Sequence, residues 1–101
     1  MIAVVKQPDG GAVLSISGPM RLAELGELLE HVRSAAALGG AITIDLSEAE
    51  HLHSGALQIL RALERHSAGI TDATFQVIAA SDLARDALQL CGLSRWLEEG
   101  R

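Results

Sequence analysis

Short apolar runs alternate along the chain with longer segments in which apolar residues recur every three or four positions. The first two runs, Ile2 to Val5 and Ala12 to Ser17, flank the turn-forming residues Pro8 to Gly11. This arrangement predicts two strands joined by a hairpin. Gly18-Pro19 follows directly and is expected to end the second strand.

From Leu22 the apolar residues recur at helical spacing, interleaved with charged ones, until Gly39-Gly40. Such a pattern predicts an amphipathic helix that covers one face of a sheet. The next five residues, Ala41 to Asp45, are mostly apolar or β-branched. We therefore expect them to form a central strand that is buried on both faces and ends at Asp45.

The second half of the chain repeats the alternation of strand and helix. A polar stretch, Leu46 to His53, precedes a second helical pattern that begins at Ser54, with Gln58 on its outward side, and ends at Gly69. Ser54 occupies the position expected of the N-cap. Thr74 to Ala79 is predicted to be a further buried strand.

A last helix is predicted to begin at Ser81-Asp82, and the segment around Trp96 to form a helical turn that packs back. The resulting order, β-β-α-β-α-β-α, predicts an α/β fold. We expect a single domain over residues 1–101, with a mixed sheet of about four strands and three to four helices.

Composition excludes several classes of function. The net charge is −5, and the only aromatic residues are Phe75 and Trp96, so nucleic acid is not an expected partner. No apolar run approaches the roughly 20 residues of a membrane span, and Met1 to Lys6 does not resemble a signal peptide. The single cysteine, Cys91, has no intramolecular disulfide partner. These features predict a cytoplasmic protein that is not embedded in a membrane.

Motifs for catalysis and cofactor binding are weak. Gly39-Gly40 lacks the Lys-Ser/Thr that follows in a phosphate-binding loop. His51 and His53 are two positions apart, with only nearby glutamates to complete a metal site, so a solvated loop is the favoured interpretation. Ser54 is adjacent to His53 in sequence, which places the two side chains poorly for a nucleophilic triad. We therefore expect no cofactor, no metal and no enzymatic activity.

Two residues remain as candidates for a functional role. Ser54 lies at a strand-to-helix turn, where two to three free backbone N–H groups and the helix dipole would stabilise an added phosphate. The alternative is that its hydroxyl only caps the helix. Asp45 has a similar ambiguity between a ligand contact and a loop-bracing acceptor. Because parallel strands end on the same side of a sheet, Asp45 and Ser54 are expected to lie near one another.

The stretch from Ile44 to Leu57, IDLSEAEHLHSGAL, resembles the signature of STAS domains, the family of anti-sigma-factor antagonists. In that family a strand that ends in Asp-Leu-Ser leads, after a fixed interval, to Asp-Ser/Thr-Ser/Gly-Gly-Leu. Leu14 to Gly18 resembles the family's second strand, and Leu88 to Leu93 its late helix with a Gly-Leu pair. The resemblance spans nearly the whole chain and implies the STAS fold.

The resemblance also implies site residues. Ser54 falls on the family's phosphorylatable Ser/Thr, Asp45 on the strand-end Asp, and Leu57 on the leucine that anchors the second helix. Two positions depart from the pattern: His53 replaces the usual Asp and Ala56 the usual Gly. A histidine supplies no fixed negative charge near pH 7.

The function implied is that of a non-enzymatic partner-switching module. It would dock a serine kinase or anti-sigma partner and be released when Ser54 is phosphorylated. The expected partner-binding residues cluster around Ser54 and are Asp45, His53, Ser54, Gly55, Ala56 and Gln58. Two alternatives remain open: an accessory subunit that seats the ATPase of an ABC-type lipid transporter, since Ser-Gly-Ala-Leu also resembles the Thr-Gly-Gly-Leu of such STAS subunits, and a module of a chemotaxis or other two-component pathway.

Overall fold

Strands and helices follow one another in the predicted order in the computed structural model, which describes residues 1–69 and 74–97. The strands in these ranges are β1 (Ile2–Lys6), β2 (Ala12–Met20), β3 (Ile42–Leu52) and β4 (Phe75–Ala80). The helices are α1 (Leu25–Ala37), α2 (Ser54–Ala68) and α3 (Asp82–Leu90), and 3₁₀ turns span Leu22–Glu24 and Ser94–Leu97. The predicted order β-β-α-β-α-β-α is confirmed, including the turn around Trp96.

The strands form one mixed sheet in the order β1-β2-β3-β4. β1 and β2 are antiparallel because a short hairpin joins them, whereas helical crossovers make β2, β3 and β4 parallel. β1 and β4 are therefore the edge strands. The predicted mixed sheet of four strands is confirmed.

Glycines allow the hairpin turn to pack tightly against the connection between α1 and β3. Gly10 has a φ of +90°, a conformation that glycine adopts without steric cost. A Cβ atom at Gly40 would collide with the carbonyl oxygen of Gly10, and one at Gly11 would lie 2.7 Å from that of Ala41. Only glycine fits this backbone contact, which places the start of β3 beside the start of β2.

β2 and β3 both continue beyond the predicted ends. β2 passes through Gly18 and Pro19 to Met20. β1 pairs no further than Ile16, so the missing N–H of Pro19 costs no hydrogen bond on that side. β3 includes the stretch after Leu46 that we predicted to be a polar loop. β4 pairs with β3 no further than Leu46, so the rest of β3 has only β2 as a neighbour and forms an edge of the sheet. Polar residues in this part of β3 are consistent with that edge position.

The sheet is buried on one face only, which corrects the prediction for β3. Ile42, Ile44 and Leu46 are buried, whereas Thr43 and Asp45 alternate with them and remain half-exposed. Buried and half-exposed residues therefore alternate in this part of β3, and the polar ones lie on the open face of the sheet. All the buried apolar residues belong to one cluster between the sheet and the helices.

That cluster has contributions from every helix. Its largest fully buried side chains include Leu14, Ile16, Ile44, Leu46, Leu28, Leu57, Leu60, Leu63, Leu88 and Trp96. α2 contacts α1 on one side, and on its other side it approaches the segment that follows α3. None of the helices in the described ranges has the length and hydropathy to span a membrane.

The C-terminal 3₁₀ turn is held to α2 by Glu64. Both oxygens of this carboxylate accept hydrogen bonds from the Arg95 guanidinium, at 2.7 and 2.8 Å, and Trp96 Nε1 donates to Oε2 at 3.0 Å. Trp96 is 1% exposed, and its ring lies 5.3 Å from that of Phe75. The hydrogen bonds from Arg95 are the main reason why the pKa of Glu64 is lowered, against the opposing effect of burial.

We expect this hydrogen-bonded carboxylate to make stability depend on pH. Because the pKa of Glu64 is lower in the folded than in the unfolded state, its stabilisation is complete above the ordinary glutamate pKa of about 4.3 and is lost as pH falls through the folded-state value. Glu64→Gln should lower the free energy of unfolding by about 1 kcal/mol at neutral pH, with little difference from wild type in acid. Urea denaturation across the acid range measures this effect.

The matched control is Glu30→Gln, because Glu30 is exposed on α1 and its carboxylate forms no hydrogen bond or ion pair within the part of the chain that the structure describes. Its unfolding free energy should follow that of wild type at every pH. A Glu64→Gln variant that is as stable as wild type near neutral pH would contradict the stabilising role of the Glu64 carboxylate.

Candidate functional site

The N-terminal end of α2 follows closely on the end of β3 and is held to the end of β2. The N–H of His53 donates to the carbonyl of Met20 at 2.9 Å, so the last residue before the helix is tied to the end of β2. α2 begins directly afterwards at Ser54. Ser54 is exposed, whereas His53 and Gly55 are half-buried.

His53, rather than Ser54, is the N-cap of α2. Its Nδ1 accepts a hydrogen bond from the N–H of Gly55 at 2.9 Å, and its carbonyl accepts from Ala56 at 2.8 Å. Nδ1 is two bonds from Cβ, as Oδ1 is in aspartate, so the imidazole can take the place of a capping carboxylate. Nδ1 must then be unprotonated, with the ring proton on Nε2.

This cap corrects two expectations for Ser54. Its hydroxyl does not cap the helix, and one of the backbone N–H groups expected to be free, that of Gly55, is occupied by His53. In contrast, Ser81 caps α3 in the ordinary way, with its hydroxyl accepting from Ala84 at 3.1 Å. The Ser54 hydroxyl forms no hydrogen bond with any residue of the described ranges. It is left available to an external group.

Ser54 opens onto a shallow depression between α2 and the segment after α3. The depression has a volume of about 250 Å³ and is lined by Ser54, Leu57, Gln58, Arg61, Cys91 and Leu93. Arg61 is two helical turns from Ser54 and so lies on the same side of α2. Leu90, next to Cys91 in the chain, is 88% exposed. The depression therefore combines a hydroxyl, a cation and apolar surface.

Gly55 and Ala56 bring the first turn of α2 close to its neighbours. A Cβ atom at Gly55 would lie 2.8 Å from Cδ1 of Leu25 and 3.1 Å from Nδ1 of His53. Ala56 is fully buried. Gly55 thus makes room for the imidazole cap, and Ala56 offers no side-chain atom to the surface. Of the predicted partner-binding residues on α2, Ser54 and Gln58 are the exposed ones.

Asp45 lies elsewhere on the sheet. It is the fourth residue of the eleven-residue β3 rather than its end, and it pairs in register with Ser15. Its Oδ1 accepts from the N–H of Ser47 at 2.9 Å, and it lines a separate depression with Ser15 and Glu48. Seven further strand residues separate Asp45 from the turn before α2. The bracing interpretation therefore fits Asp45, and the expected proximity to Ser54 is not observed.

Residues that the sequence did not indicate complete the Ser54 depression. Cys91 and Leu93 come from a distant part of the chain, and the helical spacing between Ser54 and Arg61 was the only available signal. His51 is exposed in β3. Within residues 1–69 and 74–97, no three His, Cys, Asp or Glu side chains are grouped closely enough to hold a metal ion.

The family assignment follows from comparison with known proteins. Residues 3–99 match the family model described as "Mlab, STAS domain". The chain therefore belongs to the STAS domain family, as the stretch from Ile44 to Leu57 suggested. A search of curated protein sequences found no match.

Solved structures support the same fold. The chain is similar to the unphosphorylated anti-sigma factor antagonist SpoIIAA, with a TM-score of 0.81 and 13% identity over 95% of this chain and 84% of that one. An anti-sigma factor antagonist from Mycobacterium paratuberculosis has a TM-score of 0.77 and 28% identity over 94% and 81% of the two chains. Phosphorylated SpoIIAA from Bacillus gives a TM-score of 0.74 with 13% identity over 95% and 87%.

The imidazole cap predicts how substitutions of His53 affect stability. His53→Ala leaves the N–H of Gly55 without its acceptor and should lower the free energy of unfolding by about 1 kcal/mol. His53→Asp keeps an acceptor at the same distance from Cβ and adds a favourable charge at the helix N-terminus, so it should be as stable as wild type or more stable. Urea denaturation near neutral pH measures both.

His51→Ala is the control, because this nearby imidazole is exposed and should change stability by less than about 0.5 kcal/mol. The capping role would be refuted if His53→Ala matched His51→Ala, or if His53→Asp lost as much stability as His53→Ala.

Proposed function

We propose that this STAS domain is a non-enzymatic regulatory module of the anti-sigma-factor-antagonist type, acting in the cytoplasm. It docks a serine kinase or anti-sigma partner at the N-terminal end of α2 and is switched by phosphorylation of Ser54. The observation that carries the proposal is the exposed Ser54 hydroxyl, which has no hydrogen-bond partner in the described ranges because His53 caps the helix.

The surface around Ser54 suits a protein partner. Gln58 and Arg61 supply polar contacts, and Leu93 supplies an apolar floor. The named antagonists among the similar structures support a protein, rather than a small molecule, as the ligand.

Phosphorylation would change this surface without unfolding the helix. The Ser54 oxygen attacks the γ-phosphorus of an ATP bound by the kinase; a new O–P bond forms, ADP leaves, and the hydroxyl proton passes to a base of the kinase. The product adds about −1.5 to −2 charges at the first residue of α2, where the helix dipole favours them. A partner packed closely against Ser54 would then face an unpaired buried charge and be displaced.

A second function is favoured by a specific observation. The matching family model names Mlab together with the STAS domain, and Ser54-Gly55-Ala56-Leu57 resembles the Thr-Gly-Gly-Leu of STAS subunits in ABC-type lipid transporters. In that case the same surface would seat a transporter ATPase, and Ser54 would act as an unmodified contact. The two functions differ in whether phosphate ever appears on Ser54.

Substituting Ser54 tests the proposal. Ser54→Glu should weaken binding to the anti-sigma partner more than tenfold, because burying an unpaired carboxylate in an interface costs several kcal/mol. Its stability should be unchanged or slightly raised, since acidic residues are favourable at a helix N-terminus. Calorimetric titration with the anti-sigma kinases and transporter ATPases of the same genome measures affinity, and intact mass after incubation with ATP and Mg²⁺ measures phosphorylation.

Ser34→Glu is the matched control, because Ser34 is exposed on α1 and gains the same charge away from the site. It should bind and be phosphorylated like wild type, whereas Ser54→Ala should accept no phosphate. Phosphate absent from wild type with every kinase tested would exclude the switch, and tight ATPase binding in the same assay would favour the transporter subunit. Equal affinity of wild type and Ser54→Glu for every partner would exclude both.

A further inference from the structure

A second surface of α2 is an apolar groove against α1, which includes Gly55 and shares Gln58 with the Ser54 depression. The groove has a volume of about 320 Å³. Its apolar lining comes from equivalent stripes on the two helices: Leu29, Val32 and Ala36 of α1, and Ile59, Ala62 and Leu63 of α2. Each stripe follows the spacing of three and four residues that defines one helix face. The groove thus runs between the two helices over about two turns of each.

The charges at this groove are basic, although the protein is acidic overall. Among the residues of ranges 1–69 and 74–97 that line it, the ionisable ones are Arg33 and His66. Arg65 lies at the rim of the groove. It lines an adjoining depression that shares Ala62 with the groove. Neither arginine forms an ion pair within residues 1–69 and 74–97. The groove and its rim therefore carry positive charge, although the net charge of the chain is −5.

We propose that the α1–α2 groove docks an amphipathic helix of a protein partner, with an apolar stripe on the floor and acidic residues against Arg33 and Arg65. Beyond the first turn of α2, the groove walls are helix interiors whose backbone groups already pair within each helix. These backbone groups are not available as donors or acceptors for an extended peptide. A helical ligand does not need them, because its own backbone groups pair within the helix. Ser54 itself does not line this groove, although Gly55 and Gln58 line it at the end toward the proposed switch.

The same charges argue against other occupants. In a symmetric dimer built on this groove, Arg33 and Arg65 of one copy would face the same basic groove of the other, and like charges in an interface are repulsive. An anionic lipid surface would match the charge, but a concave groove between two helices leaves its apolar floor out of reach of a flat membrane surface. An acidic helix matches both the charge and the shape.

A defined peptide pair tests the proposal on the intact protein. The probe is a synthetic amphipathic helix of about 18 residues, with a leucine stripe flanked by glutamates; its twin has lysines in place of the glutamates. At low salt the acidic peptide should bind at least about tenfold more tightly than the twin, and high salt should reduce the difference. Amide chemical shifts should change along the facing sides of α1 and α2.

Charge reversal then locates the contacts. Arg33→Glu combined with Arg65→Glu should lower the affinity for the acidic peptide at least about tenfold. Arg85→Glu is the control, because Arg85 is exposed on α3, and its affinity should stay within about twofold of wild type. Ala62→Glu places a charge on the exposed part of the floor and should abolish binding. Ser54→Glu should not weaken binding, which separates this surface from the proposed switch.

Several results would overturn the proposal. One is a lysine twin that binds as tightly as the acidic peptide, and another is a set of shift changes that falls outside α1 and α2. A third is a dimer in sedimentation whose formation Arg33→Glu strengthens, and a fourth is binding of anionic vesicles without binding of the acidic peptide. Each of these outcomes identifies a different occupant or none.

Discussion

In the part of the chain that the structure describes, helices cover only one face of the sheet, and the placement of the other elements follows from this. α1, α2 and α3 all contribute to the same buried cluster, so α2 must lie between its neighbours on that one layer. A helix in the middle of a layer buries its inner face but keeps an outer face and two flanks. The Ser54 depression lies on the flank toward the end of α3 and the apolar groove on the flank toward α1. The two surfaces thus lie on different flanks of one helix and meet at Gln58.

The chemistry at the start of α2 depends on which side chain caps it. A serine can use its hydroxyl either to satisfy the backbone or to react, and at Ser81 it is used for the backbone. At α2 the imidazole of His53 accepts the backbone N–H instead. The departure from the family's usual Asp therefore preserves the local hydrogen-bonding geometry while it removes a negative charge. Replacing one by the other alters the electrostatics of the site more than its shape.

Element types and their order were readable from periodicity, because helical stripes such as Leu28, Val32 and Ala35 and the turn glycines are local signals. Strand ends were less accurate. The continuation of β2 through Pro19 depends on where β1 stops, and the continuation of β3 past Leu46 depends on where β4 stops. These are properties of pairing between distant segments, which a local pattern does not contain.

The candidate site shows the same division. Ser54 and Gln58 could be assigned from the resemblance and the helix period, and both are exposed. The polar residues between Asp45 and Ser54 indicate a loop that would bring the two together, whereas in the structure they form seven residues of strand that hold them apart. Cys91 and Leu93 meet α2 only through the packing of the segment that follows α3, so no spacing along the sequence indicates them. The capping role of His53 requires a ring orientation that sequence does not specify.

The enclosure of Trp96 has a practical consequence. The chain contains one tryptophan and no tyrosine, so its near-ultraviolet fluorescence comes from a single ring. That ring is buried beside Phe75, and its N–H is bonded to a carboxylate on α2. A buried indole emits at shorter wavelength than a hydrated one, so release of the final turn from α2 would shift the emission to the red even if the sheet stayed intact. The protein thus has a built-in optical reporter of one contact, at the end of the helix opposite Ser54.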